Sequence, residues 1–157
     1  MEEIYRSAAS ILVLRLAPDS HQILLLHKPR KKDAWQLPQG GVEAGETVTE
    51  AALRELKEEA GLNDCRVLGT SARVYQYDFP ASFRRFRPDN VKGQRIQYVF
   101  ALAPGDAVVK VDEKEVDGFM WVPLAGLGEY VRRGEYLDLV KCLYDEALAW
   151  IDSGRAR

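Results

Sequence analysis

"GGVEAGETVTEAALRELKEEAGL", residues 40–62, sets Glu43, Glu46, Glu50, Glu55, Glu58 and Glu59 against only Arg54 and Lys57. A glycine pair opens the stretch and Gly61 stands near its end. Between them the pattern predicts a helix from about Val48 to Ala60. Thr47 sits at the N-cap with Glu50 at capping-box spacing, each able to satisfy an amide of the other. Gly61 stands where a left-handed C-terminal cap is expected. At about 100° per residue, Glu55, Glu58 and Glu59 share one arc of the helix, with Val48, Ala51 and Ala52 N-terminal on the same face. Leu53, Leu56 and Ala60 fall on a different arc and are expected to form the core stripe.

An acidic face of this kind has two readings. One is a solvated face steadied by i,i+4 pairs, which Glu50, Arg54 and Glu58 offer. The other is a metal site, because like charges on one face repel and a cluster of carboxylate oxygens suits a hard cation such as Mg²⁺ or Mn²⁺. Spacing alone leaves both open.

The rest of the chain sets the frame. A length of 157 residues with 46% hydrophobic content is enough to bury a core without disulfides, so a single domain over 1–157 is expected. The net charge of -2 argues against a generic nucleic-acid binder, so any anionic partner must meet local positive patches. Cys65 and Cys142 are far apart and fit no metal-ligand spacing; they read as reduced thiols of a cytoplasmic protein. "MEEIYRSAAS" lacks a basic, apolar leader, and no apolar run is long enough to span a bilayer, so no membrane association is expected.

Ser7 to Leu16 reads as a buried strand and "QILLLHK" (22–28) as a second, paired with it as a hairpin. "PRKKDAWQLPQGG" (29–41) reads as a loop. "CRVLGTSARVYQYDF" (65–79) offers one or two strands, "RIQYVFALA" (95–103) another, and "FMWVPL" (119–124) a short one ended by Pro123. From Glu135 to Ile151, Leu137, Val140, Leu143, Tyr144, Leu148 and Ile151 recur at helical spacing, a closing amphipathic helix. Runs of strands with helices in the middle and at the end favour a mixed-sheet α/β sandwich over a parallel doubly wound fold.

The acidic stretch resembles the signature of the Nudix hydrolases, G-x5-E-x7-R-E-U-x-E-E-x-G-U with U apolar. Gly40, Glu46, Arg54, Glu55, Leu56, Glu58, Glu59, Gly61 and Leu62 occupy its fixed positions. The resemblance implies an α/β/α sandwich with a central mixed sheet, the signature forming loop, helix and loop. It implies hydrolysis of a nucleoside diphosphate linked to another moiety, assisted by Mg²⁺ or Mn²⁺. It assigns metal binding to Glu55, Glu58, Glu59 and the Gly40 carbonyl, and a structural ion pair to Glu46 and Arg54.

"WQLPQGG" (35–41), "YQYDFP" (75–80), "GQRIQYVF" (93–100) and "EVDGFMWV" (115–122) are similar to the branch holding bacterial RNA 5′-pyrophosphohydrolases and dinucleoside tetraphosphate hydrolases. That likeness implies a dinucleoside polyphosphate or 5′-triphosphorylated RNA as substrate. It also raises Glu115 to a further catalytic and metal-binding carboxylate beside Glu55, Glu58 and Glu59. By itself Glu115 reads as one charge of a solvated loop. Gln39, Tyr77 and Gln94 become candidate substrate contacts, although Tyr75, Tyr77 and Phe79 alternate as a core-facing stripe would. Two basic stretches can meet phosphate. One, 82–95, holds Arg84 and Arg85 among interleaved phenylalanines, and the other, 27–35, holds Arg30 and Lys32. Hydrolysis of nucleoside triphosphates or nucleotide sugars is the alternative chemistry. A module that senses nucleotides without cleaving them is the alternative class, against which the intact "RELKEE" argues.

Overall fold

The computed structural model describes residues 2–29, 34–84 and 90–153, the side chains of Phe83 and Arg84 excepted. In chain order the elements are β1 (Ile4–Leu16), β2 (His21–His27), β3 (Trp35–Gln36), β4 (Gln39–Gly41) and α1 (Val48–Ala60). There follow β5 (Arg66–Asp78), the short α2 (Ala81–Arg84), β6 (Val91–Leu102) and β7 (Gly118–Pro123). A 3-10 turn at Leu124–Gly126 leads into α3 (Leu127–Tyr130), and α4 (Gly134–Asp152) closes the described chain.

The strands form one mixed sheet in the order β3-β2-β1-β6-β5, with β4 pairing β1 and β7 pairing β2. The β1–β6 pair is parallel and the other pairs are antiparallel. β1 and β2 meet as the expected hairpin, Leu14 opposite Ile23 and Leu16 opposite His21. Residues 65–79, open between one strand and two, form the single long β5, which slips register twice between Val67 and Val74.

Both faces of the central strands are covered, which is why β1 and β2 are apolar runs rather than alternating ones. Leu12, Leu14, Ile23, Leu25, Tyr98 and Phe100 point to one face, where Val140, Leu143, Tyr144 and Ala147 of α4 cover them. Ile11, Val13, Leu24, Leu26, Val99 and Ala101 point to the other, under Ala51, Ala52, Leu56 and Ala60 of α1. This is the expected α/β/α sandwich. Truncating a side chain such as Leu12, which has no exposure, should cost about 2–5 kcal/mol.

Two expectations need correction. The loop read over 29–41 contains β3 and β4, and β4 lies against β1 with Gln39 opposite Ser10 and Gly41 opposite Ala8. The buried stripe of α1 is Ala51, Ala52, Leu56, Glu59 and Ala60, while Leu53 is only partly buried. The small alanines let the helix settle onto β1 and β4, and that close approach takes Glu59 inside with them.

Candidate active site

Local chemistry fixes α1 first. Glu50 N donates to Thr47 Oγ1 at 3.1 Å and Thr47 N donates to Glu50 Oε1 at 2.9 Å, a complete capping box. Gly61 closes the helix at φ 69°, its amide donating to Lys57 O at 3.0 Å. With both ends set, Arg54, Glu55 and Glu59 meet the β4 strand.

Arg54 ties loop to helix. Its Nε and Nη2 fork onto Glu46 at 2.7 and 2.9 Å, Nη2 also reaches the Gly41 carbonyl at 2.8 Å, and Nη1 reaches Glu55 Oε1 at 2.8 Å. This bidentate pair holds the Glu46 carboxyl at about pKa 2, well below the ordinary glutamate value, with the Glu43 amide contributing. The Glu55 carboxyl packs against Gly40 so closely that a Cβ there would overlap it. Burial raises the Glu55 pKa, an effect that Arg54 opposes and Glu59 and Glu58 reinforce.

Glu59 is 1% exposed, rare for a carboxylate. Its Oε1 accepts from the Gln39 amide at 3.0 Å. Lys28 Nζ lies 2.9 Å from Oε2 as an ion pair, but off hydrogen-bonding line, so Oε2 is buried with no hydrogen-bond donor. Burial pushes this carboxyl up as well; Lys28 and the Gln39 amide pull it down, and the charge of Glu115 pushes it further up. Glu58 is largely exposed, its carboxylate 3.5 Å from Arg54 Nη1. The acidic face therefore grades from buried Glu59 through Glu55 to open Glu58.

Glu115 belongs to a separate loop. Asp112 Oδ1 accepts the amides of Lys114, Glu115 and Val116 at 3.0–3.1 Å, with Glu113 in the left-handed region at φ 66°. Burial works against ionised Asp112, but those amides outweigh it and lower its pKa. The turn presents Glu115 exposed at the surface, near enough for its charge to act on Glu59.

A cleft of about 660 Å³ opens beside β4. Across its floor Arg6 of β1, Gln94 of β6 and Tyr77 of β5 lie in one cross-strand row, and Tyr77 Oη donates to Gln94 Oε1 at 3.1 Å. Tyr75, Tyr77 and Phe79 line one side with ring centroids 5.6 and 5.9 Å apart. Arg133, Glu135 and Tyr136 line the other from the start of α4. Lys28, Gln39 and Gly40 complete the rim, so the cleft borders the carboxylates.

Of the sequence candidates, Gln39, Gly40, Tyr77 and Gln94 line this cleft, Glu55 and Glu59 adjoin it at Gly40 and Gln39, and Glu115 is within electrostatic reach of Glu59. Arg30, Lys32 and Arg85, and the side chain of Arg84, lie outside the described residues. Sequence reasoning passed over Arg6 and Arg133, which sit far apart in the chain and belong to no basic run. It saw Lys28 only as a member of one. The strand register was the missing signal, because it alone puts Arg6 opposite Gln94.

The donors fit a divalent cation in kind: hard carboxylate oxygens, a buried oxygen lacking a donor, and a glycine that lets the main chain and Glu55 touch. As placed, no three acidic, histidine or cysteine side chains among the described residues converge on one point. Instead Arg54 draws Glu46, Glu55 and Glu58 to itself, and Lys28 pairs with Glu59.

Comparison with known proteins agrees. The NUDIX domain family model matches residues 5–140. The chain is 43% identical over 97 residues to an RNA pyrophosphohydrolase of Halorhodospira halophila, a match spanning 58% of this chain and 54%, about half, of that one. It is 30% identical over 154 residues to the RNA pyrophosphohydrolase of Ruthia magnifica subsp. Calyptogena magnifica, covering 93% of this chain and 80% of that one. The structure of a C. elegans Ap4A hydrolase binary complex superposes with a TM-score of 0.74 at 20% identity, over 92% of this chain and 98% of that one, and so shares the fold. With the family model spanning most of its length and the signature folded as a capped helix against a glycine strand, the chain belongs to the Nudix hydrolase family.

Proposed function

We propose that the protein is a metal-dependent pyrophosphohydrolase that cleaves a phosphoanhydride of 5′-triphosphorylated RNA or of a dinucleoside polyphosphate. The observation that carries this is the adjacency of an acidic helix and a cleft bordered by Lys28, Arg6 and Arg133 and walled by aromatic rings. Carboxylates alone would repel a polyphosphate; cations and stacking surfaces beside them hold its phosphates and base. The names of the curated relatives support the RNA end, and that of the structural neighbour supports the dinucleotide.

Glu55, Glu58, Glu59, Glu115 and the Gly40 carbonyl would hold Mg²⁺ or Mn²⁺. When bound there, such an ion neutralises phosphate charge and lowers the pKa of a water ligand. Arg54 and Glu46 keep the β4 loop registered on α1. Exposed Glu115 accepts a proton from the attacking water as the new P–O bond forms and the bridging P–O bond breaks. Gln39 is fixed through its own amide to Glu59, and Tyr77 and Gln94 orient each other for the nucleoside. Free Cys65, whose thiol burial pushes up to about 11, and free Cys142 suit a reducing cytoplasm.

A panel of triphosphorylated RNA, dinucleoside polyphosphates, nucleoside triphosphates and nucleotide sugars, each with added Mg²⁺ or Mn²⁺ and products resolved by chromatography, tests this reading. Turnover led by the first two supports it. Turnover led by the last two gives the alternative chemistry, and binding without turnover gives a sensing module.

A further inference from the structure

The ion pair between Lys28 and Glu59 joins the two halves of the site, and its geometry is unusual. Glu59 is buried, and the charged partner at its Oε2 is the Lys28 ammonium, whose side chain is only 13% exposed. Arg54, the other cation paired with these carboxylates, is already committed to Glu46, Gly41 and Glu55. Lys28 differs from it in two ways. Its one ion pair among the described residues is with Glu59, and it lines the substrate cleft. A lysine is a point charge on a flexible stem, so its ammonium can swing while its backbone stays fixed. Here the backbone is fixed, because Lys28 N donates to Ala34 O at 2.8 Å.

We propose that Lys28 is a stand-in cation: it neutralises Glu59 while the site is metal-free, and yields that carboxylate when a divalent ion arrives. A dication on Oε2 and an ammonium 2.9 Å from the same oxygen repel each other, so the two occupants exclude one another. Without either, a buried carboxylate would stand uncompensated, which is strongly destabilising. Metal entry therefore frees a positive charge onto the wall of the cleft, coupling metal loading to the readiness of the site for an anion. The inference rests on the proposed metal site, with Lys28 as a positioning residue rather than a metal ligand.

Mn²⁺ binding by calorimetry and thermal melting, with and without Mn²⁺ at about pH 8.5 to limit proton competition, tests it on wild type, Lys28→Met, Lys28→Gln, Lys28→Arg and Glu59→Gln. Lys28→Met and Lys28→Gln should each bind Mn²⁺ on the order of tenfold more tightly, because neither holds a positive charge against the arriving dication. Both should melt lower than wild type without Mn²⁺ and alongside it with Mn²⁺, while Lys28→Arg stays near wild type in both. Should Lys28→Met not fold metal-free, Lys28→Gln, which keeps a polar group there, carries the comparison. Wild-type Mn²⁺ affinity in both neutral variants, alongside its loss in Glu59→Gln, would overturn the stand-in role and leave the metal site intact. Unchanged Mn²⁺ binding in Glu59→Gln would overturn the metal site itself.

Discussion

Gly40 and Glu55 occupy adjoining space that a single methyl group would fill, since a Cβ on Gly40 overlaps the Glu55 carboxyl. The clashing atoms, Cγ, Cδ and Oε1 of Glu55, belong to a side chain whose rotation can move them aside. Gly40→Ala should therefore fold, displace Glu55 and lower turnover about tenfold or more, in line with a misplaced metal ligand. Gly45→Ala is the contrasting control. Nothing lies within 4 Å of its added Cβ, but its φ of +84° costs an alanine about 1–2 kcal/mol. It should lose stability and keep its rate. Melting temperature and kcat measured on both variants separate the two effects.

The carboxylates predict an unusual pH profile for the metal-free protein. Glu46, lowered from 4.5 to about 2, contributes stability that is present above the unfolded value and lost as pH falls through about 2. Glu55 and Glu59 are raised, so the folded state binds their protons more tightly, and stability is lost as pH rises from 4.5 through their folded values. Metal-free melting temperature should thus peak at mildly acidic pH. Saturating Mg²⁺ should lift the neutral side and flatten the curve. A metal-free curve with no decline toward neutral pH would contradict the burial of Glu55 and Glu59.

Glu115 is exposed, and its amide is held by Asp112, so replacing its side chain should cost the fold little. Glu115→Gln should lower kcat by about 10²-fold, the low end for a lost acid–base group, with KM nearly unchanged. Asp112→Ala removes the acceptor of the amides that shape the turn and should lower kcat in the same direction without touching substrate. A raised KM with unchanged kcat in Glu115→Gln would make it a mere surface charge.

Arg6 and Arg133 both line the cleft. Arg6→Gln and Arg133→Gln should each raise KM for triphosphorylated RNA by roughly three- to tenfold, as loss of one charge-assisted contact does. The penalty should be smaller for a dinucleoside diphosphate, and should shrink for both substrates as salt screens the charges. KM values indifferent to both variants and to salt would return these arginines to solvent.

What was readable in the sequence was local. The limits of α1 followed from Thr47, Glu50 and Gly61, whose signals lie within one turn of the ends they set. The sandwich followed from apolar runs in β1 and β2. β4 escaped notice because a three-residue strand of glutamine and glycines has no periodicity of its own and exists through its pairing with Ala8–Ser10. The depth of Glu59 escaped for the same reason: a helical wheel places it with Glu58, and only the neighbouring β4 and Lys28 enclose one and leave the other open. The basic runs drew attention because they are contiguous. The described cations at the cleft come from β1, the residue after β2 and the residue before α4, which the fold gathers and the chain order scatters.

The central claim is that the α1 carboxylates carry metal-dependent phosphoanhydride hydrolysis, and the kcat of Glu59→Gln tests it most directly. Measured against wild type on triphosphorylated RNA and diadenosine tetraphosphate across an Mg²⁺ titration, it should fall by at least about 10²-fold in a protein that still folds, because a neutral amide cannot replace an anionic ligand. Wild-type turnover by Glu59→Gln at limiting Mg²⁺ would contradict the account.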